Sequence, residues 1–287
     1  IKSLSFAIPK SIFTVSFRHR ITKGRNMKKW ALILGASSGF GGAIARKLSA
    51  NGYNIFGVHL DRKATMHNVE AIKADIEAAG AKSIFFNINA ADTRARKEVI
   101  RVMEETFSNQ PGTVKLLIHS LAFGTLLPVV YNPGQGGVVH KNQMDMTLDV
   151  MAHSLIYWTQ DVVGHKLMKK GGHIFCMTSS GGHTAWPNYG AVSAAKAAME
   201  AHTRQIAFEL APKKIAANAL RAGVTDTPAL RKIPGNEQMI ARALRMNPGG
   251  RLTTPEDVAD AVYTFAKMST WVTGNIIGID GGEDNAG

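Results

Sequence analysis

The chain has a single cysteine, Cys176, in 287 residues. No intramolecular disulfide can form, and a cysteine-based metal site is excluded. Cys176 lies in the apolar run His173-Ile-Phe-Cys-Met, the setting of a small buried residue rather than a nucleophile. No apolar stretch approaches the roughly 20 residues a membrane-spanning helix needs, so no membrane span and a cytoplasmic location are expected. There is no internal repeat, no zinc-finger spacing and no basic run interleaved with aromatics, so nucleic acid is not an expected partner. Acids are absent from residues 1–26, which carry Lys2, Lys10, Arg18, Arg20, Lys23 and Arg25. That segment lacks helix or strand periodicity and reads as an N-terminal extension: either a transit-type leader or a mis-assigned start ahead of Met27. Its six cations bring the formal net charge of +13 down to +7 for residues 27–287. The basic balance favours acidic ligands, such as a nucleotide cofactor, phosphopantetheine or an acidic carrier protein.

Residues 27–287 read as one domain. At 45% hydrophobic and 19% charged residues, this length can bury a sizeable core. Short apolar runs alternate with helical stretches, which implies an α/β fold with a doubly wound parallel sheet. Expected strands are residues 30–35, 54–60, 83–88, 114–119, 171–180, 215–220 and 275–280. Expected helices include 65–80, 93–108, 146–169, one running from just after Tyr189 to about Leu210, and one capped by Thr254-Pro-Glu-Asp257. Residues 125–145 are Gly/Pro-rich and read as a loop on the substrate side. In such a sheet, ligand binds at the carboxyl ends of the strands, where the glycine turn, Gly124, Ser179 and Thr227 would converge.

The first strand runs into Gly35-Ala-Ser37-Ser38-Gly39-Phe40-Gly41, which opens a helix. Glycines at a strand-to-helix turn let the backbone approach a pyrophosphate, and the helix N-terminus offers free N–H groups and the positive end of a dipole. The second strand ends in Asp61-Arg62-Lys63. A carboxylate there accepts both adenosine ribose hydroxyls and repels a 2′-phosphate, which favours NADH. Arg62 and Lys63 pull toward NADPH, because a guanidinium pairs with a 2′-phosphate.

The richest stretch is Pro187-Asn188-Tyr189-Gly-Ala-Val-Ser-Ala-Ala-Lys196. It sets a phenol and an ammonium seven positions apart at the head of an Ala-rich helix. That advance is about 10 Å and nearly two turns, so both side chains share a face. A neighbouring cation stabilises a phenolate and is expected to lower the pKa of Tyr189.

The G-x-x-x-G-x-G spacing, the Tyr–Lys helix and the closing Asp280-Gly-Gly resemble the short-chain dehydrogenase/reductase superfamily over residues 29–283. His119-Ser-Leu-Ala-Phe123, the Ala222-Gly223 pair and the Tyr189–Lys196 spacing resemble its divergent enoyl-[acyl-carrier-protein] reductase branch. The resemblance implies that Asn87 and Ile88 lie at the adenine, with a strand-end cap the alternative for Asn87. It also implies that Ser120, Leu121, Ala122, Gly223 and Thr227 contact cofactor, that Lys196 holds the nicotinamide ribose, and that Ser179 takes the catalytic serine position. Phe123, Tyr131 and His140 become candidates for substrate contact. Residues 228–250 become a lid over an acyl chain, with Ala229, Leu230, Met239 and Met246 as apolar contacts; an ordinary surface helix is the alternative. Three departures stand out: Leu34 where the superfamily has Thr, Met151 where it has a proton-relaying Asn, and Ser179 where many enoyl reductases carry a second Tyr ten residues before the catalytic one.

The spacing bears on the reaction. Carbonyl-reducing relatives place Tyr four residues before Lys, and here that position is Val192, which has no proton to give. In conjugate reduction of a 2-enoyl thioester, charge develops on an oxygen three bonds from the carbon that receives hydride, so the phenol must stand further off. The reading is an NAD(P)H-dependent enoyl-thioester reductase of fatty-acid synthesis. NADH is the favoured cofactor, the substrate rides on acyl carrier protein or coenzyme A, and relatives imply a homodimer or homotetramer. A 3-oxoacyl or other carbonyl reductase is the alternative within the superfamily. A non-catalytic dinucleotide sensor or scaffold is the alternative outside it.

Overall fold

The computed structural model describes residues 27–131 and 137–286; the expected extension, residues 1–26, lies outside them. The core begins with β1 (Lys28–Leu34), whose alternate side chains enter opposite faces of the sheet. Trp30, Leu32 and Leu34 join one buried cluster, and Ala31 and Ile33 join the other. A central parallel strand covered on both faces must be apolar throughout, which explains why WALIL shows no polar alternation. Trp30 stacks on Phe56 with ring centroids 4.1 Å apart. Leu34, which stands where the superfamily has Thr, is fully buried in this packing. Each such side chain contributes roughly 1.5–3 kcal/mol by leaving water.

The remaining elements follow in βα alternation: α1 (Gly39–Ser49), β2 (Asn54–His59), α2 (Met66–Ala78), β3 (Ser83–Asn87), α3 (Thr93–Asn109) and β4 (Gly112–His119). Then come α4 (Lys141–Leu148), α5 (Ser154–Gly164), β5 (Met168–Ser179), α6 (Gly190–Leu210) and β6 (Ala216–Ala222). Last are α7 (Asn236–Met246), α8 (Pro255–Phe265) and β7 (Ile276–Ile279). The seven strands form one parallel sheet in the order β3-β2-β1-β4-β5-β6-β7. The order reverses between β1 and β4. Connections leave in opposite directions there, which opens the crevice that holds ligand in such folds.

Two boundaries differ from the sequence reading. The helix expected at 146–169 begins at Lys141, because the Gln143 side chain accepts the His140 N–H at 2.9 Å and closes the helix start earlier. It ends at Gly164, and Lys166 takes a left-handed φ of 58° that turns the chain into β5 three residues before the expected strand start. Between α4 and α5 the helix widens into a π-turn at Asp149–His153, which carries the buried Met151. The helix expected after Tyr189 is found as α6, which Tyr189 caps from just outside with φ −98° and ψ 0°.

Gly41 gives a direct test of this packing. A Cβ there would overlap the Gly35 carbonyl oxygen, although the backbone of Gly41 is not left-handed. Gly41→Ala is expected to destabilise by roughly 1–3 kcal/mol, read as a fall in Tm of about 2–4 °C per kcal/mol. Gly164→Ala, with nothing within 4 Å of its Cβ, should leave Tm unchanged or higher.

Candidate active site

The glycine turn sits where the sheet order reverses. A Cβ on Gly35 would overlap the Ser120 carbonyl oxygen and stand 3.5 Å from Leu121 Cδ2. With the Gly41–Gly35 contact, this presses β1, the start of α1 and the exit of β4 together. At the head of α1, Ser38 makes no side-chain capping bond and the first turn carries no acid, leaving an anion-binding helix end. A Cβ on Gly39 would lie 3.5 Å from Thr227 Cγ2, so the loop after β6 reaches the same turn. Phe40 instead packs into the core. Gly223 lies against Thr253 and Glu283 rather than the turn, and Ala122 is exposed at the exit of β4.

Asp61 ends β2 beside this cradle. Burial would raise its carboxyl, but hydrogen bonds from Ser37, Thr65 and His59 outweigh it and hold the group below the usual carboxylate range. Thr65 Oγ1 donates at 2.7 Å, and His59 Nδ1 lies at 3.0 Å. The Asn87 amide clasps the Asp61 backbone from both ends: Nδ2 donates to the Asp61 carbonyl at 2.9 Å, and Oδ1 accepts the Asp61 N–H at 3.0 Å. Asn87 is thus a strand-end clasp. Ile88 donates its N–H to the His59 carbonyl and packs its side chain against the core. Arg62 is exposed next to Asp61. A constricted glycine cradle, an open helix N-terminus and a fixed carboxylate beside them fit a dinucleotide.

The second half of the site begins at Asn188, one of three non-glycine residues in the left-handed region among those described. Its φ of 63° reverses the chain and delivers Tyr189 to the head of α6; Asn tolerates this conformation better than most residues. A Cβ on Gly181 would stand 2.5 Å from Tyr189 Cε1 and 3.2 Å from Ser179 Oγ, so phenol and hydroxyl flank the same glycine. Ser179 Oγ is buried without a well-formed hydrogen bond to any described residue. Burial raises the Tyr189 phenol above its ordinary value, and the Ser179 hydroxyl offsets part of that rise. The expected lowering by Lys196 is therefore corrected, because burial of the phenol prevails; Lys196 Nζ donates to the Met177 carbonyl at 2.6 Å. Lys196 is only 7% exposed, and burial pushes it down to about 8. His119 lies behind it with Nε2 2.8 Å from Ser154 Oγ; burial and the Lys196 charge push it down to about 3, so it is neutral. Val192 is buried and packs toward Gly124 with Met151 and Thr147.

A pocket of about 440 Å³ opens beside Tyr189. Leu127, Pro128 and Val129 form one wall, and His183 to Trp186 form another. The first wall lies in the loop expected on the substrate side, but the named contacts do not line the pocket. Phe123 and Tyr131 are 56% and 69% exposed, Leu230 is tucked inward at 7%, and Ala229 and Met239 are half-buried on the 228–250 segment. That segment forms a short turn and α7, and a Cβ on its Gly235 would lie 4.0 Å from the Trp186 ring of the pocket. His183 and Trp186 carried a signal, since they immediately precede Tyr189. What no local pattern reveals is the C-terminal contribution: Asp284 lies 3.2 Å from His183 Nε2 and 3.0 Å from Arg221 Nη1, pinning the pocket wall to β6.

Residues 35–283 match the family described as enoyl-(acyl carrier protein) reductase. The chain belongs to that family, within the short-chain dehydrogenase/reductase superfamily. This short-chain oxidoreductase is 27% identical to the 3-oxoacyl-[acyl-carrier-protein] reductase FabG of Thermotoga maritima, over 88% of the chain and 97% of the relative. It is also 27% identical to the enoyl-[acyl-carrier-protein] reductase [NADH] FabI of Aquifex aeolicus, over 64% of the chain and 67% of the relative. The solved structure of an Aquifex aeolicus enoyl reductase shares the fold, with a TM-score of 0.77 over 92% of this chain and 99% of that one at 22% identity. A short-chain dehydrogenase from Burkholderia cenocepacia, solved in complex with NADP, has a TM-score of 0.75 at 25% identity, covering 91% of this chain and 99% of that one.

The lowered Asp61 carboxyl makes the reductase's stability depend on pH. A depressed carboxyl contributes stability above its unfolded value, about 3.9, and loses it as pH falls through the folded value. Asp61→Asn is expected to melt below the parent protein at neutral pH, with the two Tm values converging as pH drops below about 3.9. A constant gap across that range would exclude the carboxylate as the source.

Proposed function

We propose that this short-chain reductase reduces the 2,3 double bond of a trans-2-enoyl thioester carried on acyl carrier protein or coenzyme A, using NAD(P)H with NADH preferred. The observation that carries the reading is the placement of Tyr189 at the head of α6, seven residues before Lys196, while the position four before Lys196 is Val192, buried in the core. A bound nicotinamide would supply the hydride. Tyr189 would donate to the thioester oxygen, where charge develops three bonds from the β-carbon. Its burial keeps the phenol protonated across the neutral range, and a donor already fixed toward a developing oxyanion is worth a few kcal/mol. Ser179, beside the phenol, would order substrate, and Lys196 would hold the nicotinamide ribose and supply positive charge. The Gly35–Gly41 cradle would take the pyrophosphate, with Ser120, Leu121 and Thr227 around it. Asp61 would accept the adenosine ribose hydroxyls. We place residues 27–287 as the catalytic domain behind an N-terminal extension, in a cytoplasmic homo-oligomer active in fatty-acid synthesis.

A second reading rests on Ser179. A serine hydroxyl beside an active-site phenol would equally serve a 3-oxoacyl thioester, and the Thermotoga maritima relative carries that name. The two separate in one assay that follows loss of reduced-nicotinamide absorbance. Oxidation of NADH with a 2-enoyl thioester and not with a 3-oxoacyl thioester is the expected result; the reverse would overturn the proposal. Tyr189→Phe should retain cofactor binding while turnover falls about 10²-fold or more, and unchanged turnover would remove Tyr189 from the chemistry. Asp61→Ala should raise activity with NADPH relative to NADH; an unmoved ratio would refute the ribose assignment.

A further inference from the structure

Lys196 is a buried cation with one hydrogen bond among the described residues, to the Met177 carbonyl. An ammonium has three donors, and burying it without a counter-charge is costly. Three ionisable groups are coupled to it from the elements packed around it. His119 on β4 is neutral, having been pushed down to about 3. Cys176 on β5 is also neutral, its thiol pushed up to about 11 by burial. Glu200 on α6 is the third. Arg221 on β6 pairs in register with Thr178 and is tied to Asp284. Among the described residues, Glu200 is therefore the formal negative charge acting on Lys196.

The geometry agrees. Glu200 lies one helical turn beyond Lys196, so the two side chains are neighbours on one helix face, without a direct ion pair between them. A Cβ on Gly182 would stand 3.1 Å from Glu200 Oε1 and 3.5 Å from Lys196 Cβ, so both side chains border the same glycine of the pocket wall. They are also moored to consecutive residues of β5. Lys196 donates to Met177, and Thr178 Oγ1 donates to Glu200 Oε1 at 2.7 Å. The strand thus fixes the carboxylate while the helix sets its spacing from the ammonium.

We propose that Glu200, fixed by Thr178, is the positioning residue that keeps Lys196 charged and in place at the head of the site. This rests on the reading of Lys196 as the active-site cation. The test measures Lys196 directly in the cofactor-free protein, by pH titration of its side-chain carbon resonance in lysine-labelled material, assigned with Lys196→Arg. Glu200→Gln keeps an acceptor for Thr178 and removes the charge. It is expected to lower the Lys196 titration midpoint, weakening proton affinity about tenfold per unit, and to move the alkaline limb of kcat/KM to lower pH by the same amount. Glu200→Asp should restore most of both. An unmoved midpoint in folded Glu200→Gln overturns the proposal. A lowered midpoint with an unmoved kcat/KM profile upholds the pairing and refutes the catalytic reading of Lys196. If Glu200→Gln does not fold, Thr178→Val serves: it frees the carboxylate from its mooring and should lower the midpoint by a smaller amount. No change there would equally overturn the proposal.

Discussion

Two backbones meet at Gly35 with no room for a methyl group between them. The contact joins the end of β1 to the exit of β4 where the sheet order reverses, and the Gly41–Gly35 contact draws the start of α1 into the same point. The turn carries Ser37 toward Asp61 and Gly39 toward Thr227. A side chain at Gly35 would push β1 from the exit of β4, and one at Gly41 would push α1 from the turn; either would move the adjoining groups together, because close-packed interiors transmit displacement rather than absorb it. The carboxyl edge of the sheet is in this sense one rigid object.

Across that edge, burial sets the ionisation of the side chains. It favours the neutral form of Tyr189, Lys196, His119 and Cys176 alike. Charge survives only where hydrogen bonds or a counter-ion outweigh the loss of water. Asp61 meets the condition through three donors, whereas at Lys196 burial prevails and pushes the ammonium down to about 8. The same loss of water strengthens any interaction made inside the site, since Coulomb energies scale inversely with the effective dielectric. A phenol that stays protonated there is a better hydrogen-bond donor than one in solvent.

Much of this was legible in the sequence, because it rests on local rules. Alternating apolar runs and helices gave the doubly wound sheet, the glycine spacing marked the turn, and the Thr254-Pro-Glu-Asp257 pattern forms a capping box at the head of α8. The misses have physical causes. The α4 start depended on a Gln143 side chain reaching back to His140, which no apolar period encodes. The π-turn around Met151 adds a residue to a helical turn without changing the pattern of buried positions. The state of Tyr189 followed from its burial, which depends on how distant segments pack and is invisible in a one-letter string. The pocket walls came from Leu127–Val129 and His183–Trp186 instead of Leu230 and Met239, because a short turn at Leu230–Lys232 faces Leu230 inward.

The Asp284 contact with His183 spans 101 positions of sequence. A chain emerging from the ribosome makes β5, Ser179 and the whole Tyr189 helix well before it makes Asp284, and domains acquire structure broadly from the N-terminus during synthesis. Until Asp284 is translated, Arg221 and His183 lack their shared anion. The pocket beside Tyr189 is therefore completed well after most of its lining is made.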